Sequence, residues 1–337
     1  MTDSVADTLY ESIARPLAEL CPAATVRNIE DRQAHADAWH AIDALGYTDA
    51  LIPDGGGGAG LVLPEVFGLL FAAGEAGLPF PFGDTIAARA LLARAGHSGN
   101  GACIAIAKSI PAAGDGIACA EVPGAWLVDA FLVEHDDTWL LMPAAQARIT
   151  AGTYRRSSGS PSWPTREAAT ARLALEHAGA AAWTNALRSA EMAGTMQAVL
   201  RQTIAYAQER SQFGKPLGRF QAVQQDISVL AEQVASVAMA ARLGCAATAH
   251  QPDPTRAAMA RLRACEAVPT VCAIAHAVHG AIGVTDELTL GLRTARLREW
   301  RATGASEQQC AATIGAHVLA GPARPLLDIV RDAVTPA

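Results

Sequence analysis

The sequence has no local cluster of lysine and arginine, and its formal net charge is −7. A nucleic-acid surface needs a basic stripe, so that class of function is excluded. Aromatic residues make up 5% of the 337 residues and charged residues 18%, against 51% hydrophobic. An alanine-rich, aromatic-poor chain of this kind favours packed helices with a large core. The seven cysteines, at 21, 103, 119, 245, 265, 272 and 310, show no CxxC or other metal-ligand spacing. An odd, scattered set of this sort reads as small core residues, and no metal site is expected. The first residues, MTDSVADTLYESIARPL, are polar and acidic, unlike a secretory signal. No uncharged apolar run reaches the roughly 18–20 residues needed to span a bilayer. No repeat of solenoid period stands out. A soluble, cytoplasmic protein of two or three domains is expected.

What is present falls into three zones, and the expected fold class is α+β, mostly α. Residues 1–98 read as an N-terminal helical domain. Within it Leu63–Phe71 is an apolar helix with Pro64 at an early position, where its missing N–H does no harm, and it stops near Gly77. Asp84 or Thr85 is expected to cap a further helix through Leu92. The four glycines at 55–58 read as a solvent loop, since no helix with Lys and Ser/Thr follows to make a phosphate cradle. Residues 99–172 read as a small, reduced middle β domain. Its strand-like runs are Ile104–Ile106, Gly124–Val133 and Trp139–Met142, with a hairpin turn at Asp136-Asp137. The Ser/Pro-rich stretch 157–164 is expected to be irregular.

Residues 173–337 read as an antiparallel four-helix bundle. Ala193, Met196, Leu200, Ile204 and Ala207 form one apolar stripe, and Phe220, Val223, Ile227, Leu230, Val234 and Val237 a second. Asp253-Pro254 starts a third helix that contains Pro269 and stops at Gly280, and a fourth runs from about Ser306 to Leu319. Between the first two helices lies the most informative segment, Tyr206-Ala207-Gln208-Glu209-Arg210-Ser211-Gln212-Phe213-Gly214-Lys215-Pro216-Leu217-Gly218-Arg219-Phe220-Gln221-Ala222-Val223-Gln224. Arg210 offers a planar, permanently charged fork suited to phosphate, with Phe213 and Gln212 able to cover and hydrogen-bond a nucleotide. On chemistry alone a plainer reading stays open, in which Arg210 complements the helix dipole and Phe213 plugs the core.

The string Y-A-x-E-R-x-Q-F-G-K-P-L-x-x-F-Q-A-V-Q resembles the signature of the acyl-CoA dehydrogenase family. The resemblance covers the C-terminal bundle well, the N-terminal domain loosely and the middle domain poorly. It implies FAD as cofactor, with Arg210 on the FAD pyrophosphate of a neighbouring subunit, Phe213 packed on the cofactor, and Gln221 near its adenosine end with Gln212 alongside. His279-Gly280-Ala281-Ile282-Gly283-Val284-Thr285 is similar to the family's Q-x-H-G-G-x-G-[YF]-T loop, which places His279 and Gly280 at the same cofactor. Ala277 and Ala281 depart from that loop, so a polar contact from the family's Gln is missing. A metal reading of His276 and His279 has no acidic partner placed by sequence.

The resemblance also exposes gaps. The family draws a catalytic Glu, the base for the α-proton of the acyl-CoA, from one of two places, and these fall on Gly304 and Thr184 here. Neither is a carboxylate, and no catalytic residue is therefore assigned. Glu307 reads as a helix-start acid, with a displaced base as the alternative. The family's T-E-P-x-x-G-S-D strand and loop, which serves the flavin ring, has only Cys119-Ala120-Glu121-Val122-Pro123-Gly124 as a degenerate counterpart. The resemblance thus implies an auxiliary subunit of a heteromeric (α2β2) dehydrogenase of the steroid-catabolism type. A longer partner chain would supply the ring contacts and the base, with an acyl-CoA substrate and an electron-transfer acceptor. A self-sufficient dehydrogenase with a displaced carboxylate, and a flavin-free binding relic, remain as alternatives.

Overall fold

The computed structural model describes residues 4–33, 35–99, 101–112, 114–174, 178–248, 250–322 and 325–334. The first layer is helical: α1 (Val5–Leu20), α2 (Ala23–Glu30), α3 (His35–Asp43), α4 (Leu63–Ala76) and α5 (Phe82–Arg94). Pro64 stands in the first turn of α4 and Gly77, at φ +71, ends it, as the sequence predicts. Helix α5 starts two residues before the expected cap. Asp84 is 1% exposed and serves as a buried ion-pair partner, so it caps nothing.

Seven strands follow: β1 (Ile104–Ile110), β2 (Ile117–Cys119), β3 (Ala130–His135), β4 (Thr138–Pro143), β5 (Arg148–Ala151), β6 (Gly159–Trp163) and β7 (Ala171–Ala174). They form one mixed sheet in the order β5-β6-β2-β1-β3-β4-β7, with β1 and β3 parallel and the other pairs antiparallel. The β3–β4 hairpin turns at Asp136, at φ +50. Two local expectations fail. The strand expected from Gly124 begins only at Ala130, because 122–127 is taken up by turns. The stretch expected to be irregular contains β6, in which Gly159, Pro161 and Trp163 are buried and Ser160 and Ser162 half-buried. That period of two is a strand pattern, hidden in the sequence by serine and proline.

The third layer comprises α6 (Ala180–Glu209), the two-residue hairpin strands β8 (Ser211–Gln212) and β9 (Lys215–Pro216), α7 (Gln221–Gly244), a second such hairpin β10 (Ala247–Thr248) and β11 (Gln251–Pro252), α8 (Pro254–His279), α9 (Leu290–Ala302), α10 (Glu307–Ala320) and α11 (Leu326–Val334). Helices α6, α7, α8 and α10 pack as the expected bundle, with α8 against the other three and α6 also against α4 of the first layer. The crossing of α4 and α6 depends on glycines at both sides. A β-carbon at Gly74 would overlap the Glu191 carbonyl oxygen, and one at Gly194 would overlap that of Phe71. Helix α9 was not expected. Its outward signal is weak because two of its charged residues, Arg296 and Glu299, point inward.

The three layers meet at buried charges. Arg188 on α6 pairs with Asp84 of α5 (3.2 Å) and with Glu191 one turn on (3.1 Å). Asp84 also accepts from the Ile106 amide of β1 (3.3 Å), and Glu191 from the Gly83 amide (3.1 Å). Nearby, Glu30 of α2 holds both Arg155 of the β5–β6 loop and Arg296 of α9. Breaking a buried pair from one side typically costs about 3–5 kcal/mol, because it strands the other charge.

Burial pushes the Glu191 carboxyl up from 4.5 to about 7, against the pull of Arg188. Burial likewise raises Asp84 and Glu299. A carboxyl with a raised folded pKa binds more protons in the folded than in the unfolded chain between its two values. Stability therefore falls as pH rises through that window. Burial lowers His276 and His279, which pull the other way, so between pH 5 and pH 7.5 the parent's urea midpoint is expected to fall relative to that of Glu191→Gln. A parent midpoint that climbs relative to the variant would contradict the assignment.

Candidate cofactor and substrate site

The signature segment forms the α6–α7 corner. Helix α6 ends at Glu209 with Arg210 as its cap residue, and β8 and β9 fold back through Phe213-Gly214. Phe213 takes φ +52 and is 91% exposed, so the plug reading of this side chain is wrong. It lies edge-on to Phe220 (centroids 6.3 Å apart), with the Lys215 ammonium 4.3 Å over the Phe220 ring. Arg210 is exposed, and among the described residues its guanidinium has no ion pair. Gln212 and Gln221, the first residue of α7, are exposed beside it. A free guanidinium, an uncovered ring and amide side chains on one corner suit a phosphate-bearing, ring-bearing ligand held outside this chain's own core.

The second predicted group comes to the same end of the bundle. Helix α8 stops at His279, and Gly280 turns the chain at φ +65, a conformation glycine adopts freely. The Tyr206 ring, from the last turn of α6, stacks on His279 at 4.5 Å. His279 is 3% exposed, with Nδ1 2.7 Å from the Ala275 carbonyl oxygen and Nε2 buried without a partner. Burial lowers its pKa, so the ring is neutral and Nε2 has hydrogen-bonding capacity to spare. His276 is engaged elsewhere, its Nε2 2.9 Å from the Thr294 hydroxyl.

The base positions lie in a different place. Thr184 of α6 and Gly304, between α9 and α10, both line a cleft of about 480 Å³ between strands β1 and β2 and helices α6, α8 and α10. The Thr184 hydroxyl donates to the Ala180 carbonyl oxygen (2.8 Å). Gly304 has φ +76, and a β-carbon built there would lie 4.0 Å from Arg261 Nη2, so the loop is shaped around a residue without a side chain. Among the described residues that line the cleft, Glu121 is the one carboxylate. Its oxygens are taken by the Thr153 and Tyr154 amides (2.9 and 3.2 Å). Glu307 sits in the first turn of α10, ion-paired with Arg301 at 2.8 Å. Three cations on the cleft wall, Lys108, Arg188 and Arg261, were missed in the sequence. The available signal was an arginine inside an otherwise alanine-rich apolar helix face, at 188 and at 261.

The family model for the acyl-CoA dehydrogenase C-terminal domain matches residues 168–319. Acyl-CoA dehydrogenase IpdE2 of Mycobacterium tuberculosis is 32% identical over 294 residues, covering 83% of this chain and 86% of that protein. The chain belongs to the acyl-CoA dehydrogenase family. Among solved structures, it matches a chain of the ChsE4–ChsE5 complex from Mycobacterium tuberculosis with a TM-score of 0.78 at 21% identity, over 96% of this chain and 99% of that one. A variant of the Tcur3481–Tcur3483 steroid ACAD gives the same TM-score at 22% identity, over 94% and 98%. Such likenesses establish an acyl-CoA dehydrogenase fold along nearly the whole chain, including the middle sheet where sequence resemblance is poor.

Phe213→Ala is expected to change unfolding free energy by no more than about 0.5 kcal/mol, as for other exposed sites. A loss of about 3 kcal/mol or more in denaturant titration, typical of a buried phenylalanine, would restore the core reading.

Proposed function

We propose that this chain is one subunit of a heteromeric, FAD-dependent acyl-CoA dehydrogenase. It lends Arg210, Gln212, Phe213, Gln221, His279 and Gly280 to FAD at a subunit interface and leaves the flavin-ring contacts and the base to a longer partner chain. The observation that carries this reading is the cleft: both family base positions line it, and they are Thr184 and Gly304. In the reaction a base removes the α-proton of the acyl-CoA and FAD takes the β-hydrogen as hydride. This chain's part is to bind and orient. The Arg210 guanidinium would hold the pyrophosphate, Phe213 would pack on the cofactor, and the Gly280 turn would let backbone approach closely. The uncovered corner supports a shared site, since a 91% exposed phenylalanine is a group awaiting a contact. Helix α7 supports a partner too. It is apolar enough along its length to pass for a membrane span, yet only its α6/α8 side is buried, and Val229 and Met239 are exposed. The two-protein complexes among the similar structures, one of them titled a steroid ACAD, support a heteromer acting on a steroid-derived CoA thioester, in a cytoplasmic setting with an electron-transfer acceptor.

A charge-assisted contact to phosphate contributes about 1.5–3 kcal/mol, so Arg210→Ala is expected to weaken FAD retention by about one to two decades. Flavin quantitation after dialysis of the assembled protein reads this directly. Unchanged retention would remove Arg210 from the site.

Glu307→Gln and Glu287→Gln are expected to leave turnover within a few-fold of the parent. Removing the partner's base should cost about 10²–10⁴-fold. Steady-state rates on an acyl-CoA substrate distinguish the cases. A collapse on either change in this chain, with FAD still bound, would mean that it carries its own base.

A further inference from the structure

A second, much smaller cavity lies where the N-terminal helical layer meets the bundle, and it shares no lining residue with the cleft. It is lined by Cys21 at the α1–α2 junction, Gly77 at the end of α4, Thr195 of α6, and Thr289, Arg293 and Arg296 at the start of α9. Its volume is about 40 Å³, room for a few waters or one small ion and for no nucleotide or acyl chain. Among the described residues that line it there are two guanidiniums and no carboxylate.

Arg296 is committed to Glu30 and to the Gly77 and Leu78 carbonyl oxygens. Arg293 is not. Its Nη1 donates to Gln202 Oε1 (2.8 Å) and to the Thr289 hydroxyl, both neutral acceptors, and its Nε is buried without a partner. Among the described residues no Asp or Glu lies within ion-pair distance of it. Glu75, the carboxylate whose field reaches it, is already held by Arg201 (2.7 Å) and by the Tyr10 hydroxyl (2.6 Å). Glu30 is likewise divided, between Arg155 and Arg296. Arg27, the residue after the lining Val26, repeats the pattern. Its Nη2 donates to the Asp286 carbonyl oxygen at 2.6 Å, and its Nε is buried without a partner.

Burial lowers the pKa of Arg293, yet a guanidinium keeps its proton in proteins. A water in the cavity would satisfy Nε without balancing that charge, and an unbalanced buried cation is costly. The rest of the lining suits an anion. The Cys21 thiol, pushed up to about 11 by burial, stays neutral and offers a weak S–H donor. Val26 and Leu292 add apolar wall, which favours a weakly hydrated ion of single charge.

We propose that this cavity binds one small monovalent anion of halide size, chloride above all, held by Arg293 between the N-terminal layer and α9. The inference does not draw on the flavin reading. An ion there would complete the charge network that joins α2 and α4 to α9.

Thermal unfolding of the full-length chain, in the assembly in which it is isolated, tests the proposal when chloride replaces gluconate at constant sodium and ionic strength. A saturable rise in midpoint of about 2–5 °C is expected at ten times the dissociation constant. Bromide should act alike, and sulfate should not. Arg293→Met should abolish the rise. Because that change also removes the bonds to Gln202 and Thr289, Cys21→Met serves as a second variant. It fills the cavity, leaves the guanidinium intact and should abolish the rise as well. In crystals soaked in bromide, an anomalous peak beside Arg293 is expected. The proposal is overturned by a midpoint that does not distinguish chloride from gluconate, by a rise that survives Cys21→Met, or by the absence of a bromide peak. A bromide peak with no change in midpoint marks an adventitious ion only, and overturns it too.

Discussion

The Arg188 guanidinium is where the fold is tied together. It lies on the central helix α6, and its two carboxylate partners reach the other two layers through backbone amides: Asp84 touches β1 at Ile106, and Glu191 touches the start of α5 at Gly83. One side chain therefore fixes the spacing of helical layer, sheet and bundle. The same residue lies 5.2 Å over the Trp300 ring, which carries that order into the α9–α10 turn. Hydrophobic burial drives the collapse, but it does not specify angles between layers. A buried, fully partnered charge cluster does, because misplacing any layer strands a charge in a medium that cannot solvate it.

The α6–α7 corner and the cleft are distinct parts of the molecule, and they are built differently. The corner is exposed, rich in unpaired donors and assembled from helix ends, at Glu209, Gln221 and His279. The cleft is walled by the first turns of α6 and by the sheet, and nearly every charge on it is spoken for.

Much of the bundle was legible in the sequence because its signals are local. The stripes at 193–207 and 220–237, the Asp253-Pro254 start and the Gly280 stop all translate directly into α6, α7 and α8. The corner was legible through a long motif, and the structure brings Arg210 and His279 to one end through the Tyr206 stack. What failed to read depends on partners distant in sequence. Strand β6 is a strand because β2 and β5 flank it, whatever its Ser/Pro composition suggests. Helix α9 turns Arg296 and Glu299 inward because Glu30, 266 residues before Arg296, meets the arginine, and Ser158 and Arg155 meet the glutamate. The cleft cations share this origin: an arginine's role at 188 or 261 is set by what the fold places opposite it.

The backbone at Gly304 limits what a single substitution can place there. Its left-handed backbone disfavours any side chain, and its nearest neighbour would be the Arg261 fork. A glutamate regained there by one substitution would enter a strained turn beside a guanidinium that makes carboxylates poor proton acceptors. Recovery would require the loop and the arginine to change together. Were a base ever lost at such a position, the loss would work as a ratchet, since each settled step removes the intermediate through which a lineage could return.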